Sequence, residues 1–178
     1  MRSFLLGVIA TLLIFTAAGY VAVSQGLVPA NADGRPPGIE MWAARTSLHA
    51  TLRREAPQGA VPIQATDANL VAGVRLYGQN CAVCHGASTS KRETASNIAI
   101  GLYQKAPQLA DHGVEDDPVG VTYWKIAHGI RFTGMPAFGA HLSDTQIWQM
   151  SLFLNKMDKL PPEVQKVWAK VQATPAPV

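Results

Sequence analysis

From Phe4 to Val23 the chain carries no charged residue, and only Met1-Arg2-Ser3 precedes that run. A helix rises about 1.5 Å per residue, so this stretch would reach about 30 Å, the thickness of a bilayer's hydrocarbon core. Arg2 on the near side favours keeping the N-terminus in the cytoplasm and exporting the rest of the chain. A cleaved signal peptide is the competing reading, with Ala30-Asn31-Ala32 as a small-residue cleavage site. The apolar run is longer than a signal core requires, and Ala32 lies well past its end. Residues 1–23 are therefore expected to be a retained transmembrane anchor.

The pattern then changes character. Residues 24–65 read as a linker, opened by the turn Asp33-Gly34-Arg35-Pro36-Pro37-Gly38 and closed by the Pro- and Gly-containing stretch from Ala56 to Gln64. Within it, residues 39–56 lack Gly and Pro, and Ile39, Trp42, Ala43, Leu48 and Leu52 recur at roughly helical intervals. Arg45, Arg53, Arg54 and Glu55 occupy the other faces. This predicts an amphipathic helix resting on the adjoining domain, with a membrane surface or a partner protein as the alternative support.

Residues 66–160 carry the strongest periodicity. Thr66 is a natural N-cap, and Leu70, Val74 and Tyr77 fall on one face of the helix it starts. Gly86 to Arg92 reads as a polar loop, Glu93 to Tyr103 as a short helix, and Ala106-Pro107-Gln108-Leu109 as its break. Asp116-Asp117-Pro118 opens a helix that runs to His128, where Gly129 stops it. Ser143-Asp144-Thr145-Gln146 is a capping box leading a helix to about Met157, with Ile147, Met150, Ser151 and Leu154 in one stripe and Trp148 and Leu152 flanking it. Residues 161–178 are expected to hold a short helix to Val171 and a frayed tail. No strand pattern stands out, so the fold class is all-α.

The chain has two cysteines, and both lie in Cys81-Ala82-Val83-Cys84-His85. C-x-x-C-H is the attachment spacing of c-type haem: each thiol adds to a vinyl group, and the adjacent imidazole is held within reach of the iron. A dithiol redox motif would sit in a βαβ context, which is missing here. A zinc site would have to complete its tetrahedral set from His49, His85, His112, His128 and His141, none of which has finger-like spacing. One covalently attached haem c is the leading reading, with zinc and a disulfide behind it. A single such motif also excludes a multihaem array.

Residues 66–160 resemble the class I cytochrome c family. The resemblance rests on Gly73-Val74-Arg75-Leu76-Tyr77 followed by Cys81-Ala82-Val83-Cys84-His85-Gly86, on Gly134-Met135-Pro136-Ala137-Phe138, and on the helix start Leu142-Ser143-Asp144 with Ile147 and Trp148 behind it. It implies that His85 and Met135 are the two axial iron ligands. It also implies that the Pro107 carbonyl accepts a hydrogen bond from His85 and that Leu109 and Phe138 wall the haem, with Trp124 or Arg131 reaching a propionate. In this family the first and last helices cross through a small residue and an aromatic, here Gly73 and Tyr77 against Trp148, Leu152 or Phe153. Gly134 and Pro136 suit a loop that holds a thioether close to a flat cofactor. His128 as the second ligand, giving bis-histidine iron, is the alternative. His49, His112 and His141 read as surface or capping residues.

Charge changes little in this picture. The chain has a formal net charge of +3, yet residues 66–160 hold eight Lys/Arg and eight Asp/Glu. That balance gives no basic surface for nucleic acid. Asp111, Glu115, Asp116 and Asp117 form an acidic cluster, read as a solvated loop and helix start or else as a docking patch for a basic partner. A closed His/Met iron suits electron transfer and disfavours catalysis. The expectation is a monohaem cytochrome c tethered to the cell inner membrane with its haem domain on the periplasmic side. It would carry single electrons between redox proteins and transform no substrate itself. The alternatives are a haem-bearing subunit of a membrane oxidoreductase and a gas sensor or small peroxidase with an open sixth position.

Overall fold

The structure, a computed structural model, describes residues 1–88, 96–111 and 113–172, and these form two compact units, Met1–Ala32 and Asp33–Val178. Every regular element among the described residues is helical.

The first unit is helix α1, Arg2–Ser24. It is long and apolar enough to cross a membrane, and none of its residues is buried within the protein. Its hydroxyls are satisfied internally: Thr11 Oγ1 donates to the Gly7 carbonyl (2.9 Å) and Thr16 Oγ1 to that of Leu12 (2.8 Å). The helix closes with Gly26 at φ 69°, whose N–H bonds Val23 O while Leu27 N–H bonds Ala22 O. These paired bonds are those of a Schellman motif, and glycine adopts the required left-handed conformation freely.

The second unit begins with α2, Gly38–Glu55. Its contact with the rest of the unit differs from the sequence expectation. Leu52 and the adjoining Ala56 are buried and Leu48 is partly so, whereas Ile39 and Trp42 stand 72% and 64% exposed. The reason is where the helix docks. Its C-terminal end packs on a later helix, where Gly120 admits the Pro57 carbonyl against its Cα, while its first turn is held by Tyr103 Oη donating to Glu40 (2.9 Å). That geometry leaves the outer face of the first turns in solvent.

Further helices complete the unit. Helix α3, Asp67–Asn80, starts at Thr66, whose hydroxyl accepts from Asn69 N–H. A single turn, α4, spans Ala82–His85, and α5 spans Asn97–Gly101. The helix expected over 93–103 is thus shorter, because Ser96 is extended and caps it through Ala99 N–H; residues 93–95 lie outside the described residues. Helix α6 is Val119–His128, with Pro118 as N-cap, so Asp116 and Asp117 precede it and Asp117 pairs with Lys125 (2.7 Å). Helix α7, Asp144–Asn155, has the complete capping box between Ser143 and Gln146. A 3-10 turn at Met157–Lys159 leads to α8, Pro162–Trp168, which ends three residues before the expected Val171. The tail expected to fray over 174–178 lies outside the described residues.

The core forms where α3 crosses α7. A side chain on Gly73 would run into the Gln149 carbonyl group and Phe153 Cβ, so glycine alone permits this approach. Tyr77, Phe153 and Trp168 surround it as an edge-to-face cluster, with centroids 5.6, 5.5 and 5.1 Å apart. Such pairs add about 0.5–1.5 kcal/mol each beyond the area they bury. Of the three aromatic or apolar partners considered for Gly73 and Tyr77, Phe153 makes the contact. Trp148 instead stacks on Tyr123 of α6, with centroids 4.1 Å apart.

Candidate functional site

The motif 81–85 is built at the end of α3. Cys81 N–H still bonds Tyr77 O (2.8 Å), and the chain then makes one more turn, with Cys84 and His85 N–H both on Cys81 O (3.0 and 2.9 Å). Positions i, i+3 and i+4 of a helical turn share a face. The C-x-x-C-H spacing therefore brings two thiols and one imidazole to the same side of one turn. Gly86, at φ 78°, ends it.

Both cysteines are free and partly buried. Burial, and then the neighbouring Cys84, pushes the Cys81 thiol up to about 12; burial also raises Cys84. Both thiols are thus less acidic than a free cysteine, unlike those of a reactive dithiol. Among the described residues, no three His, Cys, Asp or Glu side chains cluster as a metal site would need.

His85 Nδ1 lies 2.9 Å from the Pro107 carbonyl oxygen. A carbonyl has no proton to give, so Nδ1 carries the proton and Nε2 keeps its lone pair. Burial lowers the pKa of His85, and the bond to Pro107 only partly opposes this. A neutral imidazole, fixed in one tautomer with a free Nε2, is the state that ligates a metal.

Two neighbours strengthen this arrangement. Leu109 N–H donates to His85 O (3.0 Å), and Gln108 Nε2 donates to Cys84 O (2.9 Å). Residues 107 and 109 thus bond His85, and residue 108 bonds Cys84, the last two positions of the motif. The sequence does not single out Gln108; the available signal is a lone amide inside the apolar break Ala106-Pro107-Gln108-Leu109. Tyr77 Oη bonds the carbonyls of Gly86 (2.8 Å) and His85 (3.2 Å), which ties the aromatic core to the motif. Ser96 Oγ bonds Val83 O, joining α5 to the same turn. Gln108 Oε1, Ser88 Oγ and Thr122 Oγ1 are buried without a partner.

Met135 sits in the loop between α6 and α7. The loop is closed on itself by Ile130 N–H on Met135 O (3.2 Å) and tied back to α6 by Phe138 N–H on Ile126 O (3.1 Å) and Gly139 N–H on Ala127 O (2.9 Å). Leu102, just past α5, packs on Gly134 where a Cβ would otherwise lie. Leu109 is buried in the main apolar cluster, and Cys81, Met135 and Phe138 pack against that cluster. The cysteine turn and the methionine loop, 54 positions apart in Cys81 and Met135, are therefore brought onto one core.

The remaining candidates lie elsewhere. His128 is exposed at the end of α6 against Trp124, with ring centroids 4.9 Å apart. Trp124 also reaches the Glu55 carboxylate, which directs it toward α2. His49, His141 and Arg131 are exposed, and His112 lies outside the described residues. The acidic segment is folded onto the domain, since Asn155 Nδ2 bonds the carbonyls of Glu115 (3.1 Å) and Asp117 (3.3 Å).

Residues 68–154 match the family described as cytochrome C oxidase, cbb3-type, subunit III. No curated protein and no solved structure gives a match.

Proposed function

We propose that this chain, whose residues 68–154 match the cytochrome C oxidase, cbb3-type, subunit III family, is a class I c-type cytochrome: a membrane-tethered, monohaem electron carrier in which His85 and Met135 would hold the iron. Cys81 and Cys84 attach one haem c covalently. When bound, the haem supplies one-electron Fe(II)/Fe(III) chemistry.

The observation that carries the reading is the state of His85. Its Nδ1–H is committed to Pro107, its Nε2 is free, and both thiols share its helical turn. This donor set fits haem c, and the soft thioether of Met135, packed on the same core, would supply the second protein ligand to its iron. Thioether plus imidazole favours low-spin iron in both oxidation states and raises the potential. Leu109 and Phe138 keep the surroundings apolar, which limits water access. Helix α1 holds the domain at the periplasmic face of the inner membrane and raises its effective concentration near membrane partners.

The test is a potentiometric titration of full-length protein made with a haem-attachment system, alongside its intact mass. One covalent haem and a single low-spin one-electron couple at positive potential are expected. A high-spin or strongly negative couple would remove Met135 from the iron and favour a sensor or peroxidase. Protein without covalent haem would overturn the reading.

A second reading is supported by the family match: the chain as the haem-bearing subunit of a terminal oxidase. A stoichiometric partner that co-purifies after detergent extraction favours it, and a monodisperse single chain favours the mobile carrier.

A further inference from the structure

The apolar positions of helix α2 fall into two stripes. At about 3.6 residues per turn, Met41, Leu48 and Leu52 share one side and are partly or fully buried against the domain. Ile39, Trp42, Ala43, Thr46 and Ala50 fall on roughly the opposite side, and every one of them is exposed. Ile39 stands 72% and Trp42 64% exposed, so folding of the chain gives neither side chain a cover. Arg45 and Arg53, also exposed, border this outer stripe.

The domain grips α2 from the other side. Tyr103 Oη donates to Glu40 (2.9 Å), Trp124 reaches Glu55, and Gly120 seats the Pro57 carbonyl next to buried Leu52 and Ala56. The body of the helix therefore stands between the outer stripe and the segments that carry His85 and Met135, so the exposure of the stripe does not depend on the haem. Connectivity sets what can cover it. Only the 13 residues from Gln25 to Pro37 separate α2 from α1. Fully extended they reach at most about 45 Å, so α1 keeps the first turn of α2 near whatever bilayer it spans.

We propose that the outer stripe of α2, centred on Ile39 and Trp42, lies on the surface of an anionic lipid bilayer, the one that α1 spans. The proposal rests on α1 being a retained membrane anchor, and it adds a second attachment to that one. A tryptophan ring with an isoleucine three positions before it suits the boundary between headgroups and acyl chains, and the exposed Arg35, Arg45 and Arg53 suit lipid phosphates. A patch this small would hold a free protein only weakly. Tethering by α1 raises its effective concentration to about the millimolar range, where weak contact suffices. Two attachments keep one side of the haem domain toward the bilayer.

The test uses full-length haem-loaded protein reconstituted into vesicles of phosphatidylethanolamine and phosphatidylglycerol. Thioether bonds occupy Cys81 and Cys84, so a nitroxide can be attached at one new site, Ala43→Cys on the stripe or Lys166→Cys on α8 as the reference. Power-saturation spectra of the reduced protein compare collisions with oxygen, which favours lipid, and with a nickel chelate, which stays in water. The label at 43 should lie about 5–10 Å below the lipid phosphates, and that at 166 in water. Adding Ile39→Ser and Trp42→Ser should return the label at 43 to water. The visible spectrum and melting temperature should stay unchanged, because both side chains are exposed, and this excludes misfolding as the cause. A label at 43 as open to the nickel chelate as that at 166 would overturn the proposal. So would a label shielded in native membranes but open to water in vesicles, which would put a protein on the stripe. Protein that stays out of the vesicles, or whose N-terminus begins after Ser24, would instead defeat the anchor beneath it.

Discussion

Gly129 and Met135 meet backbone to backbone: a Cβ on Gly129 would stand 2.7 Å from the Met135 carbonyl oxygen and 2.8 Å from Ala137 N. The end of α6 is thus the seat of the methionine loop, and φ 66° at Gly129 is what turns the chain into it. Gly129→Ala meets both obstacles, a left-handed backbone and backbone atoms that cannot swing aside. We expect a loss of about 2–4 kcal/mol. In the haem-loaded protein the weak methionine–iron absorption should fade or become displaceable by added imidazole. Retention of that absorption at full strength would show that the loop is seated elsewhere.

The α3–α7 crossing depends on Gly73 in the same way. Gly73→Ala forces α3 away from Gln149 and Phe153 and loosens the Tyr77–Phe153–Trp168 cluster. Phe153→Ala leaves the crossing intact and opens a cavity instead, at a cost of about 3–5 kcal/mol. Guanidinium unfolding should show both variants well below the parent.

Gln108 should matter beyond its neighbours in sequence. Gln108→Leu keeps its volume but leaves the Cys84 carbonyl, in a partly buried setting, without its side-chain donor. A loss of about 1–3 kcal/mol is expected, with covalent haem retained. Pro107→Ala should act on the His85 bond and so move the reduction potential more than Gln108→Leu does. Equal potentials for the two variants would contradict this division of roles.

Alkali should expose the phenols. Burial, then the hydrogen bond and charge of Asp144, pushes Tyr123 up to about 12, and burial raises Tyr77 as well. An unfolded phenol titrates near about 10, so the folded state holds these protons more tightly. The stability linked to Tyr123 is complete below about pH 10 and is lost as pH rises through about 12, and that linked to Tyr77 is lost higher still. Urea midpoints measured across that window should fall, and Tyr123→Phe should fall less steeply.

Helix α2 should be releasable without harm to the motif. Gly120→Ala puts a methyl where the Pro57 carbonyl now lies, and Leu52 and Ala56 would lose their seat on α6. Trypsin should then cut faster at Arg53 and Arg54 while the visible spectrum stays unchanged. Parent-like cleavage would mean that the Glu40–Tyr103 bond at the other end suffices to hold α2.

Local chemistry was legible in the sequence by itself. The cysteine–histidine spacing is meaningful because i, i+3 and i+4 share one face of a turn, and the helix of residues 144–155 announced its start through a capping box that depends only on nearby residues. The apolar run of α1 needs no partner to be read. What the tertiary structure alone decided were contacts between distant segments. Which aromatic meets Gly73, how Gln108 reaches Cys84, and which face of α2 is covered all depend on the relative placement of helices. Periodicity marks a helix's apolar side without naming its partner, so Trp148 and Phe153 read alike until α6 and α3 take one each. The left-handed turn at Phe132 was equally hidden, since nothing in a phenylalanine signals positive φ. The hydrogen bonds of Thr133 and Ile130 impose it only once the loop has folded back onto α6.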